Sequence, residues 1–353
     1  MQLNNLMRWS CWSTAAVAGA VSGFLWWAKG SALPRLSRYL PIHTLPQPPA
    51  ASASLRGDFS VMTYNMAHAN GIKDKPWQMR DAAYARQKLR QLAHVLQQAQ
   101  ADVVLLQEVD LHSARTGYVD QARWLAQQAH YPYYACSILW EKNYLPYPLW
   151  ATPAHHLGRM RAGNCVLSRY PIKRHSRLVF DKPRANPFWY NLGYIDRGAQ
   201  TVVLQVGGRR IAVVNAHLEA FDQTTRHEQA QQLAAWVKSL SLPWVLGGDL
   251  NAPPPEAAHK SDFNHKPQID YTTDRTIQLV RSGLPQYQEA LWQFKSPESS
   301  LTFPSDQPNW QIDHLFTASQ LHIVNARVVH EAKTASDHLP LWAQLSLSAP
   351  SEK

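Results

Sequence analysis

A set of carboxylate, amide and imidazole side chains stands where apolar runs end. Asn65 closes FSVMTYN, Glu108 follows DVVLLQ, and Asn215 and His217 interrupt IAVVNAHL. Asp249 and Asn251 follow WVLGG, Asp313 and His314 sit in QIDHLF, and SDHLP supplies Asp337 and His338. Any one of these alone reads as a cap, turn or surface residue. Ionised carboxylates are costly to desolvate unless paired or holding a cation, so several at strand ends point to one shared site. The chain has no Cys and His pairing with metal-ligand spacing, no G-x-S-x-G elbow and no P-loop. Oxygen-rich donors favour a hard cation, Mg²⁺ with Mn²⁺ as a substitute, and such ions bind few protein carboxylates together with substrate phosphate oxygens. The chemistry this inventory suits is phosphoester hydrolysis. It needs neutralised phosphate oxygens, a deprotonated water and a stabilised leaving oxygen, tasks that a metal, a base and an imidazole can divide.

Those residues need strands to carry them. FSVMTYNM, a buried strand over Val103 to Leu106, NCVLS, TVVLQV, IAVVNAHL, PWVLGGDL, QIDHLF, HIVNARVV and LPLWAQLSL all have strand composition, and Gly207 with Gly208 predicts a hairpin. Apolar residues at helical spacing predict helices from about Arg80 to Gln98 and over Val119 to Ala129. Thr225 and Glu228 resemble a capping box opening a third helix, with Ala230, Leu233, Val237 and Leu240 on its apolar face. Strands alternating with helices, hairpins mixed in, predict an α/β domain with mixed sheets. No internal repeat is evident.

The ordered set YNM, LLQEVD, GNCVLSRYPI, NAHLEAFD, GGDLNAPP, QIDHLF and SDHLPLWAQL resembles the endonuclease/exonuclease/phosphatase superfamily across roughly residues 58 to 348. The resemblance implies a four-layer α/β sandwich, two packed mixed β-sheets flanked by helices. It also implies that Glu108 is the principal metal carboxylate, with Asn65 at metal or phosphate and Asp337 on the metal side. Asp249 would orient or deprotonate the attacking water and Asn251 hold the phosphate. His338 would be the acid/base partner at the phosphate, oriented by Asp313, with His314 a bystander. His217 matches the branch resembling deoxyribonuclease I and sphingomyelinase, in which a histidine here contacts phosphate or assists the leaving group. The acid that pairs with that histidine in deoxyribonuclease I is not found. Asn215 and Arg161, the latter just before the GNCVLS strand, complete the phosphate-binding expectation. A catalytically silent binding module would show a lost motif residue, and none is lost.

Composition sets the remaining bounds. With 353 residues, 45% hydrophobic and 17% charged, the chain can bury a large core. Half of its formal net charge of +10 comes from Arg8, Lys29, Arg35, Arg38 and Arg56, so the basic balance is weak support for a nucleic-acid partner. Trp9 to Ala28 is free of charge and about long enough for a bilayer core, which predicts an N-terminal membrane anchor over residues 1–30, with a cleaved export signal as the alternative and the orientation open. Residues 31–57, rich in Pro, Ala and Ser, read as a linker, residues 58–348 as the catalytic domain and 349–353 as a tail. A bridge between Cys136 and Cys165 is compatible with export, and a buried thiol with the apolar run around Cys165. From Glu141 to Arg177 the chain carries seven positive charges and no further acid, with Tyr144, Tyr147 and Trp150 ahead of all of them but Lys142. Three readings of this loop stay open: a nucleic-acid groove, a lip on phospholipid, and aromatics packed over the sheet edge beside solvated charges. The substrate is accordingly a phospholipid headgroup or, alternatively, nucleic acid, and no obligate protein partner is expected.

Overall fold

The computed structural model describes residues 16–46, 58–72, 79–261, 270–290 and 297–347. The strands are β1 (Leu36–Ser37), β2 (His43–Thr44), β3 (Asp58–Asn65), β4 (Val103–Asp110), β5 (Tyr133–Leu145), β6 (Gly158–Ser168), β7 (Ile172–Val179), β8 (Gly198–Val206), β9 (Arg209–His217), β10 (Trp244–Asp249), β11 (Tyr287–Glu289), β12 (Asp313–Ala318), β13 (His322–Val328) and β14 (Leu341–Ser346). Among the described residues the helices are α1 (16–28), α2 (Ala82–Ala99), α3 (Gln121–Gln128), α4 (Phe188–Gly193), α5 (Gln223–Lys238) and α6 (Thr276–Gly283). Two mixed sheets of seven strands each result, in the orders β1-β7-β8-β9-β10-β12-β11 and β13-β14-β3-β4-β6-β5-β2.

The period of two along each strand decides what faces what. In β9, Ile211 and Val213 pack into the core shared with the other sheet, whereas Ala212, Val214 and Ala216 pack against α5 and α6 through Leu233, Val237 and Val280. The same alternation puts Val245 of β10 and Leu315 of β12 inside, and Leu246 and Phe316 under the helices. On the opposite side α2 and α3 cover the second sheet with Leu89, Leu92, Leu96 and Leu125. Four layers follow. The sheets approach closely at Gly247, where a Cβ would stand 2.8 Å from Leu105 Cδ1. Register then aligns the polar ends: Asp249 lies opposite His217 in the parallel β9–β10 pair and opposite Asp313 in the antiparallel β10–β12 pair. Gly198 of β8 extends that row beside His217, and Asn65 pairs with Gln107 across β3 and β4.

Three expectations are corrected. The capping box is replaced by Asp222, whose carboxylate accepts from the Thr225 N–H at 2.7 Å, so the helix opens three residues before Glu228's box would place it. The linker is not free of packed elements. β1 joins the first sheet beside β7 and β2 joins the second beside β5, so residues 36–44 bridge the edge of the sandwich. Leu40 N–H donates to the His175 carbonyl at 3.1 Å, and the Pro41 carbonyl accepts from His175 Nδ1 at 2.9 Å. Residues 47–57 and 348–353 lie outside the described residues.

The membrane anchor is overturned: no helix among the described residues is long and apolar enough to cross a membrane. Helical residues 16–28 rise roughly 20 Å at 1.5 Å per residue, short of the ~30 Å of a hydrocarbon core, and the part of the expected span before residue 16 lies outside the described residues. α1 rests on the β5 end, where Phe24 meets Tyr144 at 5.9 Å between ring centroids and the Trp27 carbonyl accepts from Asn143 at 2.9 Å.

Much of the expected basic loop is strand. Tyr144 bonds His156 at 2.7 Å, Arg161 faces Glu141 across β5 and β6, and buried Arg177 donates to the Ile138 carbonyl at 2.6 Å. Trp150 remains 77% exposed, so packing accounts for Tyr144 but not for it. Cys136 and Cys165 are register partners on β5 and β6 and are joined as a disulfide.

Candidate active site

The aligned strand ends converge where the two sheets open. Asp249 is central. Its Oδ2 accepts from Asn65 Nδ2 at 2.9 Å and its Oδ1 from the Asn251 N–H at 2.9 Å. His217 Nε2 and His338 Nε2 stand 3.4 and 3.7 Å from the same Oδ2. Burial pushes the Asp249 carboxyl up to about 6, with the His338 charge opposing and the Asp313 charge adding. A carboxylate taken out of water and set between two imidazoles is poised to take a proton near neutrality.

The two histidines are tuned in opposite directions. His338 Nδ1 lies 2.8 Å from Asp313 Oδ2, and because a carboxylate only accepts, Nδ1 carries the proton. Burial alone would lower the His338 pKa, but the charges of Asp313 and Asp249 outweigh it and raise the imidazole to about 10. His338 is therefore a cation at neutral pH. His217 meets Arg197 instead. Arg197 Nη1 is 3.1 Å from His217 Nδ1 and 2.8 Å from Nε2, and one atom that close to both ring nitrogens lies over the imidazole face. Burial and then the Arg197 charge hold His217 well below the ordinary histidine value, so it stays neutral. The acid sought for His217 is thus replaced by a guanidinium, with Asp249 as the nearby carboxylate.

Parity separates Asp313 from His314. Asp313 faces the other sheet and accepts from the Thr302 hydroxyl at 2.7 Å, whereas His314 turns the other way, its Nε2 2.9 Å from the Ala252 carbonyl. His314 steadies the loop after Asp249. Asn251, in a left-handed conformation at φ 52°, donates its side-chain amide to the Leu218 carbonyl at 3.0 Å and so fixes the same loop. Asn215 stands apart. It is fully buried between the sheets, accepting from Gln107 at 2.7 Å and donating to the Leu106 and Cys165 carbonyls at 3.0 Å each. Arg161 also lies outside the cluster, its Nε 3.6 Å from Glu141. The Asp337 backbone carbonyl accepts from the Ser305 N–H, and its carboxylate charge helps raise His338.

Glu108 faces the cluster across a small cleft that His68, Trp140, Asn164, Arg197 and His217 also line. Its Oε2 is 2.7 Å from His68 Nε2. Burial and the Arg115 charge hold His68 below its usual value. Asp249, Asp313 and His338 form a buried group whose ligand atoms lie within 4.8 Å of one another and which could hold a metal ion. Asp313 Oδ1 is buried without a hydrogen-bond partner among the described residues, an excess of acceptors that fits a cation. The His338 proton and a metal are alternative ways to balance these two carboxylates, since a protonated Nε2 has no lone pair to give.

Residues 62–338 match the sequence model of the Endonuclease/Exonuclease/phosphatase family, and the chain belongs to that family. Among solved structures, an endonuclease/exonuclease/phosphatase from Beutenbergia cavernae is similar at TM-score 0.60 and 23% identity, covering 83% of this chain and 72% of its own. The mannosyl-6-phosphatase of Bacteroides thetaiotaomicron has TM-score 0.53 and 17% identity over 81% of this chain and 99% of its own. D. rerio TDP2 complexed with a single strand DNA product has TM-score 0.53 and 14% identity over 82% and 99%. At these identities the likeness is one of fold. No curated protein sequence matches. Members of the family are phosphatases and nucleases, so the chain carries a hydrolase fold whose substrate these likenesses leave open.

Proposed function

We propose that this protein is a divalent-metal-dependent phosphoester hydrolase of the phosphodiesterase type. The observation that carries this reading is the placing of two imidazoles on one Asp249 oxygen, His338 held by Asp313 at 2.8 Å and His217 by Arg197 at 2.8 Å, which drives their pKa values in opposite directions. Groups pushed apart in this way take separate acid and base roles. Asp249 accepts the proton of the attacking water. His338 holds a proton at Nε2 for the departing oxygen, and Asp313 keeps its ring in place. Arg197 offers positive charge to a phosphate oxygen while keeping His217 neutral, so that His217 contributes a hydrogen bond and not a second acid.

Glu108, with Asn65 and Asp337, would hold Mg²⁺ or Mn²⁺, which when bound neutralises phosphate charge. The buried Asp249, Asp313 and His338 group is the other set that could hold the ion, in exchange for the His338 proton. The fold of the mannosyl-6-phosphatase and of the TDP2 bound to DNA product is compatible with either a sugar phosphate or a nucleic acid. Of the basic residues between Glu141 and Arg177, Arg177 and Lys142 are buried and Arg161 faces Glu141, which does not favour a continuous phosphate track. Lipid, nucleic-acid and small phosphodiester substrates are therefore arms of one test.

The pH profile tests the assignment. A raised carboxyl pKa means that activity needing the Asp249 carboxylate is lost as pH falls through about 6, and activity needing the His338 cation is lost as pH rises through about 10. With a chromogenic diester and Mg²⁺, kcat/KM should trace a bell between those limbs and vanish in EDTA. A rate flat from pH 5 to 8, or one indifferent to EDTA, would contradict the reading.

A further inference from the structure

Glu108 is held by a relay that the proposed reaction does not use. Asp110, fully buried on the same strand, accepts from Arg115 through both oxygens, Nε to Oδ2 at 2.9 Å and Nη2 to Oδ1 at 2.8 Å, and from the Thr116 hydroxyl at 2.9 Å. The same Arg115 Nη2 stands 2.6 Å from His68 Nδ1. A guanidinium can only donate, so Nδ1 must accept, and the ring proton is placed on Nε2. That nitrogen is 2.7 Å from Glu108 Oε2. The order is carboxylate, guanidinium, imidazole, carboxylate, from a buried acid to the cleft.

The backbone on both sides of the final contact is unusual. Ala67, His68 and Ala69 are consecutive non-glycine residues at φ 48°, 56° and 58°, and Glu108 itself is at φ 54° beside a register shift between Leu106 and Val109. Left-handed conformations cost about 1 kcal/mol or more for each such residue and persist where surroundings over-determine them. Here Asn65 Oδ1 accepts from Ala67 N–H at 3.1 Å, and Gln121 Nε2 donates to the His68 carbonyl at 2.7 Å. The turn carries His68 to Glu108 and the β4 irregularity turns Glu108 to meet it.

We propose that His68 is a positioning residue for the Glu108 carboxylate, its tautomer set by the Arg115–Asp110 ion pair, so that Glu108 meets a divalent cation in one fixed orientation. The inference rests on the reading of Glu108 as a metal carboxylate. Partners that orient a metal ligand commonly contribute 10- to 100-fold in affinity.

Mn²⁺ binding to the metal-free full chain, followed by electron paramagnetic resonance, tests this without turnover. Glu108→Gln should weaken Mn²⁺ binding at least about 10-fold, and His68→Phe, which fills the same space without an N–H, should do likewise, the scale of losing an orienting partner. Added to Glu108→Gln, the His68→Phe change should cost nothing further. His68→Gln, which keeps a donor toward Glu108 and an acceptor toward Arg115, should bind within about 3-fold of wild type by the same reasoning. If His68→Phe does not fold, His68→Leu takes its place. A purely structural His68 would lower the melting temperature in every variant and leave the affinity of the folded protein unchanged, which overturns the inference. Unchanged Mn²⁺ binding in Glu108→Gln overturns the metal reading and the inference with it. A weakened Glu108→Gln beside an unchanged His68→Phe overturns the inference alone.

Discussion

Asp249→Asn should lower kcat at least about 100-fold with the protein still folded, the scale for losing an acid/base group. The amide has the shape of the carboxylate but cannot take a proton from water. Both carboxylate oxygens now accept, one from Asn65 and one from Asn251. An amide offers one acceptor, so one of these donors is left facing an N–H, at a cost of about 1–3 kcal/mol. Against this, burial raises the wild-type carboxyl, so carrying it ionised above about pH 6 costs the folded protein stability, and the neutral amide relieves that burden. The two effects oppose, and the melting temperature should stay within several degrees of wild type. Steady-state kinetics with a thermal melt on the same sample check this. Near-normal turnover removes Asp249 from the role of base.

His338→Gln should cost kcat at least about 100-fold, and His217→Gln markedly less, nearer 10-fold, because only the first removes a proton donor. His338 is cationic between Asp313 and Asp249, and its loss also strands two buried carboxylates without a counter-charge. His217 is neutral beneath Arg197, and glutamine can restore a hydrogen bond there. Equal losses in the two variants would mean that the pKa split does not set their roles.

Much of this site was legible in the sequence because strand ends are legible. Polar residues closing apolar runs mark where strands leave the core, and period-two parity then puts Asp249, Asp313 and His217 on one face. The same parity sends His314 away from that face, to the Ala252 carbonyl. Asn215 sits on that face too, but one pair before the strand end, where the sheets have not yet opened, and its amide is committed to the other sheet. Arg197 was within reach and was missed. The turn at Gly207 and Gly208 fixes the β8–β9 register, which places Gly198 opposite His217 and Arg197 next to it. His68 left no comparable signal, since its left-handed turn contains no glycine and its partners come from residues 108 and 115. The short strands of residues 36–44 were hidden by a composition that reads as linker, because two-residue edge pairings need no hydrophobic period. The apolar N-terminal segment suggested a span by its composition, while its described helix is too short for one.

The central claim is that water, deprotonated at Asp249, attacks phosphorus. A single turnover of a phosphodiester with enzyme in excess, in oxygen-18 water with Mg²⁺, followed by mass spectrometry of both products, tests it most directly. The account predicts one labelled oxygen in the phosphate-bearing product and none in the alcohol. Label in the alcohol, or a phosphate product left unlabelled in that turnover, would contradict it, because the attacking atom would then be aimed at carbon or belong to the protein.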